Sequence, residues 1–483
     1  MASTFHGLEL GKRGLFAQQT ALSITGHNIG NANTIGYSRQ RAEMQATNAI
    51  PGPGMNNDRS PSQLGTGVAV NKIVRLREEY LDVQFRGEYK NFGYWEAKSD
   101  TFMRIEELLN EPSESGLSVT MDEFWKGWEE LTKNPESSSA RGVVRQRGVA
   151  VAETFNHLAA SLNQIKSDLK NVISTKEKEV NSLASQIANL NDQISRLVPN
   201  NYQPNDLYDQ RDVLVDQLSK LVDIKVAPGE KGMVNIAVGT EFLVSGKTKN
   251  DFSIGYDDTG KLVDPAKIKI GENSVAIGNG ELLGTIESYG LLGQEKTTGI
   301  PSIQDKIDTL AKTIIDSINS LHEQGYDLDG NPTTGVPFFT GSSASDMKVN
   351  PEIMKSLNLI AAARAEEDGT TSSGNGKNAQ AIADLKFTNL DFGGTDSTAD
   401  DFYRNIIGHI GIDSREAQRM RDNSVVIIQQ VENRRQSVSG VSLDEEMANM
   451  IKFQQSYNAA ARYVTVMDQL LDKVINGMGR AGL

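Results

Sequence analysis

"LAASLNQIKSDLKNVISTKEKEVNSLASQIANLNDQISRL", residues 158–197, decides the fold class. Leu158, Leu162, Ile165, Leu169, Ile173, Lys176, Val180, Leu183, Ile187, Leu190, Ile194 and Leu197 follow one another by steps of three and four. Near-strict alternation of those steps holds one apolar stripe on one side of a helix, which is the coiled-coil pattern. The four-four step from Ile165 to Ile173 is a stutter that unwinds the coil locally. A helix of that length spans roughly 60 Å. The spacing predicts an elongated, mainly α chain, with Leu183 and Leu190 on the seam of a helical bundle.

Outward from this segment, helical composition runs from about Arg75 to about Val222, with breaks near Pro112 and Pro135. Near Asp223 the period changes from helical to two. "DIKVAPGEKGMVNIAVGTEFLVSG" alternates at Val234, Ile236 and Val238 after a Pro228-Gly229 turn, and "KIKIGENSVAIGNGE" repeats the pattern. Residues 224 to about 290 read as a small antiparallel β module inserted between helices. Helix returns over 301–324 with Ile303, Ile307, Leu310, Ile314 and Ile318 on one stripe. Residues 325–400 are loop-rich, with "EEDGTTSSGNGKN" expected as a mobile surface tip. Two last helices are expected, at about 400–436 and 443–478.

Both ends of the chain carry heptad spacing. Leu8, Leu15, Leu22 and Ile29 fall seven apart, and the helix they mark is followed by "NIGNANTIGYSRQR", residues 28–41. The Asn/Gly string suits a helix end, because these residues accept left-handed backbone and satisfy terminal carbonyls. At the other end Met450, Phe453, Tyr457, Ala460, Val464, Met467, Leu471, Val474 and Met478 alternate steps of three and four. Ser442 and Glu445 form a Ser-x-x-Glu capping box before them. Such a stripe is ordinarily a helix on its own core. Here the two terminal helices are each set apart by turn-rich sequence, so an isolated pair is marginal and neighbouring copies are expected to cover their other faces. The expected organisation is a terminal coiled-coil polymerisation domain (1–34 with 443–483), an extended crossing segment (35–75), a helical rod (76–222 with 300–442) and an inserted β domain (223–299).

Composition excludes much else. The net charge of −14 argues against a broad nucleic-acid surface, and the chain has no cysteine for disulfides, thiolate nucleophiles or cysteine metal sites. No run approaches a membrane span, and "MASTFHGLELGKRGLF" lacks the apolar core of a cleaved signal peptide, so these signals alone suggest a soluble protein. The five histidines are scattered, and His6 with Glu9 is a weak metal pair. "DLDGNP" at 327–332 begins like a calcium loop, but its twelfth position is Phe338 instead of glutamate, leaving a surface turn. Gly11-Lys12 is followed by Arg13 where a phosphate loop needs Ser or Thr. Neither a catalytic site nor a cofactor is expected.

"GHNIGNANTIGYSRQR" resembles the N-terminal motif of the axial proteins of the bacterial flagellum, the rod, hook and hook-associated proteins. "VSLDEEMANMIKFQQSYNAAARYVTVMDQLLDKVIN" resembles their C-terminal helix. "GTGVAVNKIVRLREEYLDVQFR", "NPESSSARGVVRQRG", "NDLYDQRDVLVDQLSKLVDIKV" and "SLHEQGYDLDGNPTTGVPFF" are similar to the hook-associated members in particular. Ile35 stands where the family usually has proline. The resemblance implies a secreted, extracellular structural protein at the hook–filament junction, exported through the flagellum's own channel without a cleaved signal. It also implies a homo-oligomeric ring, the hook protein and a second junction protein as neighbours, and a cytoplasmic export chaperone, with no nucleic acid and no membrane. The implied assembly interface comprises Leu8, Leu15, Leu22, Ile29, Tyr37, Arg39, Arg41, Met450, Phe453, Tyr457, Val464, Met467, Leu471 and Val474. Tyr37, Arg39 and Arg41 would seat the crossing segment against neighbouring chains. A hook or distal rod protein shares both terminal motifs and is the alternative; an autonomous coiled-coil tether would need residues 150–222 to oligomerise alone.

Overall fold

The computed structural model describes residues 5–50, 63–109, 111, 113, 116–294, 299–365 and 371–477. Its first helix, α1 (His6–Gly30), leads through a turn into a two-stranded ribbon, β1 (Gln40–Ala46) with β2 (Val68–Arg75). The ribbon is antiparallel, pairs Gln40 with Arg75 at its base, and folds back along α1. The segment expected as extended is therefore a ribbon where it is described, and residues 51–62 lie outside the described residues.

The rod follows: α2 (Glu79–Leu109), α3 (Leu117–Lys133), α4 (Ser138–Leu197) and α5 (Asn205–Leu221). At 60 residues α4 spans about 90 Å. It begins at Ser137, whose side chain accepts from Ala140 N, and ends where Pro199 withdraws a backbone donor. Eight of the twelve stripe positions, Leu183 among them, are buried, while Ile165, Lys176, Leu190 and Leu197 are half-buried. Lys176 lies in the stripe but pairs with Glu179 and Glu281 at 3.0 and 3.1 Å.

Residues 224–274 form two antiparallel meanders: β3 (Ile224–Pro228), β4 (Val234–Val238), β5 (Glu241–Ser245) and β6 (Thr248–Lys249), then β7 (Phe252–Tyr256), β8 (Val263–Ile270) and β9 (Asn273–Ser274). Three hairpins turn at glycines of positive φ, Gly239, Gly246 and Gly271. Two asparagines of α4 fasten both sheets to the rod. Asn191 donates to the carbonyls of Val234 and Gly246 and accepts from Val234 N; Asn181 exchanges both bonds with the backbone of Phe252. The strands stop short of the expected limit near 290, because residues 281–289 form α6 (Glu281–Tyr289), which packs on α2 with Gly284 against the Tyr94 backbone.

Then comes α7 (Gly299–His322), whose stripe from Ile303 to Ile318 is buried. The loop-rich part holds β10 (Phe339–Thr340), β11 (Lys348–Val349), α8 (Pro351–Lys355), α9 (Lys377–Asp384), β12 (Leu390–Asp391) and β13 (Asp396–Ser397). An aromatic cluster of Phe124, Trp128, Phe338 and Phe339 anchors this part to α3, with His322 against Trp128. Phe338, the residue that disqualified a calcium loop, is a fully buried core side chain, and Asp327 closes a turn by accepting from Asn331 N at 2.7 Å. Of the expected mobile tip, residues 366–370 lie outside the described residues. Its end is anchored instead: buried Asn378 donates to the carbonyl of Ala361. Two long helices close the chain, α10 (Ala399–Ser439), antiparallel to α2, and α11 (Leu443–Asp472), antiparallel to α1. The fold is mainly α and elongated, with small antiparallel sheets. Among the described residues no helix is long and apolar enough to cross a membrane.

Candidate assembly site

The α1–α11 seam is built from small residues. A Cβ on Gly7, Gly11 or Gly14 would meet Met467, Val464 and Ala460 respectively, so the two backbones approach closely. Gly7, Gly11, Gly14, Gln18, Ala21, Thr25 and Asn28 follow by fours and threes, and five of the seven are buried. Leu8, Leu15, Leu22 and Ile29, expected in the assembly interface, sit one residue further round the helix and are half-buried. Glycine and alanine let the helices come close, and the leucines flank the contact instead of filling it.

On α11, Phe453, Tyr457, Val464, Met467 and Leu471 are half-buried and Met450 is exposed; Val474, in the π-helical turn Lys473–Gly477 that follows, is exposed, and Met478 lies outside the described residues. The only buried residue of this helix is Glu446. A second set of apolar side chains on α11 is left open: Leu443, Met447, Ile451, Val466 and Leu470 are each about half exposed or more. An amphipathic helix ordinarily has one apolar stripe; this one presents apolar groups on both sides.

Where the terminal pair meets the rod, buried polar groups form a knot. Asn28 donates to Gln40 O at 2.9 Å and to Glu446 Oε2 at 3.1 Å, and accepts from the Tyr37 hydroxyl at 2.7 Å and Gln40 N at 3.0 Å. Both donors and both acceptors of the amide are thus filled. Arg39 donates to Glu446 at 2.8 Å and Glu445 at 2.6 Å. Tyr37 and Arg39, expected to meet neighbouring chains, close contacts within their own chain. Only Arg41, in β1, is exposed. Burial, with Asp206, Asp209 and Glu446 nearby, pushes the Tyr37 phenol well above its ordinary range. Capping is likewise altered: Ser442 accepts from Glu445 N, but the Glu445 carboxylate goes to Arg39.

The turn leaving α1 also departs from expectation. No asparagine in it adopts left-handed backbone; Gly36 alone does, at φ 80°, and a Cβ there would lie 2.0 Å from Val213. Asn31 does satisfy a terminal carbonyl, donating to His27 O. Ile35 is almost fully exposed.

Below the knot lies an arginine–aspartate collar. Arg75 bridges Asp209 and Asp212 at 2.7 and 2.8 Å, Arg77 grips Asp82, Arg86 pairs with Asp216, and Arg435 joins Asp216 at 2.8 Å and Asp82 at 3.2 Å. Burial alone would raise the Asp212 carboxyl, but Arg77 and Arg75 outweigh it and hold it below the ordinary carboxylate range. Asp209, Asp212 and Asp216 fall at helical spacing on one face of α5, and Asp209 also accepts from Ser38 N. That spacing in "NDLYDQRDVLVD" was the available signal; its cationic partners lie up to 219 residues away. Among the described residues no group of three or more His, Asp or Glu side chains could hold a metal ion.

Residues 102–339 match the family described as flagellar hook-associated protein FlgK helical domain, and residues 433–477 match flagellar basal body rod FlgEFG protein C-terminal. The chain is 38% identical to flagellar hook-associated protein 1 of Bacillus subtilis, over 100% of both chains. It is 25% identical to the protein of the same name in Escherichia coli, over 96% of this chain and 98% of that one. The solved structure of the flagellar hook junction protein FlgK from Burkholderia pseudomallei shares the fold, with a TM-score of 0.59, 14% identity, and coverage of 75% of this chain and 100% of that one. On the strength of the 38% identity over the whole length, the chain belongs to the flagellar hook-associated protein 1 family, structural components of the bacterial flagellum.

Proposed function

We propose that this chain joins hook to filament as a non-enzymatic ring of identical subunits, polymerising through α1 and α11. The observation that supports this most is the apolar character of α11 beyond its seam with α1, with Leu443, Met447, Ile451, Val466 and Leu470 left about half exposed or more. Apolar side chains left open along one helix suit an interaction surface. On this reading residues 1–34 and 443–483 form the inner polymerisation domain, residues 35–75 the crossing, residues 76–222 and 300–442 the rod, and residues 223–299 an outward β domain. The hook protein and a second junction protein are its neighbours, a cytoplasmic chaperone holds it before export, and the flagellar channel carries it out of the cell. Electron microscopy of a strain lacking this gene tests the reading: hooks without filaments are expected, and filaments of normal length would overturn it.

A further inference from the structure

A cavity of about 400 Å³ lies between the rod and the second β meander. Its cationic wall comes from two directions: Lys166 and Lys170, one turn apart on α4, and Lys261, in the turn joining β7 to β8. Lys166 Nζ sits 5.3 Å from the Tyr289 ring centre, and Lys170 Nζ 4.5 Å from that of Tyr256 and 3.2 Å from Gly260 O. The tyrosine faces and the carbonyl fix these ammonium groups without neutralising them.

Among the described residues no carboxylate comes within 4.0 Å of any of the three, although other lysines along the rod, such as Lys90, Lys98 and Lys220, are paired. The acids that face these lysines, Asp257 and Asp308, are otherwise engaged. Asp257 accepts from Thr259 Oγ1 and from the backbone N–H groups of Leu262 and Lys261, the last two at 2.8 Å. Asp308 accepts from Ala344 N at 2.9 Å. Burial first, and then Lys261, push the Lys166 ammonium below its ordinary range, and Asp257 offsets only part of that. Asn163, Ser167 and Gln304 add polar groups to the wall. The volume is within the roughly 300–1,000 Å³ of small-ligand sites.

We propose that this cavity binds a multiply charged oxyanion, a phosphate group or a polycarboxylate, which fastens the β7–β8 turn to α4. Three ammonium groups around one space favour a dianion over chloride, and the anion would bridge two parts of the fold that here share the Lys170–Gly260 bond and the Lys170–Tyr256 contact.

The test is thermal unfolding of the purified full chain in sodium phosphate, in sodium succinate and in sodium chloride at matched ionic strength, with isothermal titration of the same two anions. Phosphate or succinate should raise the transition by about 2 °C for each tenfold increase above its dissociation constant, beyond the effect of chloride. A response to phosphate alone assigns a phosphate group, and a response to succinate alone a carboxylate. K166Q/K170Q, and separately K261Q on the module side, should lose that excess and the titration heat while unfolding normally in chloride. K225Q, on exposed β3, should keep both. Equal transitions in all three salts with no heat of binding, or an excess retained by both lysine variants, would overturn the proposal.

Discussion

The side-chain amide of Asn28, two residues before the end of the first helix, donates to the carboxylate of Glu446, near the start of the last, at 3.1 Å across 418 positions of sequence. Glu446 is the one buried residue of α11, and its other oxygen accepts from Arg39. The chain's two ends are thus tied together at the point where they leave the rod. A tie of this kind fixes the direction in which the terminal pair projects.

Removing it should release the pair without melting the rod. Glu446→Ala strips Arg39 Nε of its acceptor and leaves one hydrogen of the buried Asn28 amide unpaired, although Glu445 and Gln40 O remain to them, a change that costs about 1–3 kcal/mol for the unsatisfied groups. Amide hydrogen exchange should quicken across α1 and α11, and limited proteolysis should trim both ends faster, while α4 amides keep their protection. Unchanged exchange in α1 would show that the helices hold without the knot.

The small-residue seam predicts opposite outcomes for two glycines of one helix. A Cβ on Gly26 meets nothing within 4 Å, so Gly26→Ala should stabilise α1 by about 0.5–1 kcal/mol through helix propensity alone. At Gly11 a Cβ would lie 2.6 Å from Val464 Cγ2 and 3.0 Å from Tyr463 Cδ1. Gly11→Ile should therefore part the helices at a cost of about 1–3 kcal/mol, and Val464→Ala in the same chain should recover part of it. Exchange rates of α1 amides measure all three.

His322 makes the rod sensitive to acid. Its Nδ1 lies 2.9 Å from Val336 O, and its Nε2 accepts from Ala361 N at 3.0 Å, so the ring is held neutral. Burial first, and Arg141 after it, lower its pKa from 6.5 to about 4. A lowered folded-state value means that the unfolded chain takes up the proton first. The contribution is therefore full above about pH 6.5 and is lost as pH falls toward about 4, in all about 3 kcal/mol. Urea unfolding at a series of pH values should show this slope, and His322→Gln should flatten it by about one proton within that window.

The helices were legible because their stripes are made of large side chains. Leu158 to Leu197 announces α4, and the same spacing announces α11. The seam of α1 was not legible, since Gly7, Gly11 and Gly14 carry no hydrophobic signal and their value lies in what they leave out. Leu8 and Leu15, one position away, draw attention instead. The collar was hidden for another reason. Asp216 and Arg435 are each ordinary surface charges in sequence, and only the packing of α10 antiparallel to α2, with α5 parallel to α2, brings them within 2.8 Å. The Asn28 knot was half legible: the Asn-rich exit signalled a helix end, but not that its first amide would bond to the far terminus.

The outward face of α11 gives the sharpest test of assembly. Val464 and Leu471 lean on α1, so a charge there would disturb the subunit itself. Val466 and Leu470, one turn apart on α11, are about half exposed. Val466→Lys with Leu470→Lys should thus leave the isolated chain unchanged, with a melting temperature within about 1 °C of the parent, since exposed substitutions alter stability by less than about 0.5 kcal/mol. In a ring every neighbour repeats the two charges against an apolar face, and burying an unpaired ammonium there costs several kcal/mol per contact. Cells carrying the variant should export it to the medium, where immunoblotting finds it, yet build hooks without filaments. Export is read separately because the same helix can serve a chaperone. An exported variant that still supports filaments of normal length would show that subunits do not meet through this face.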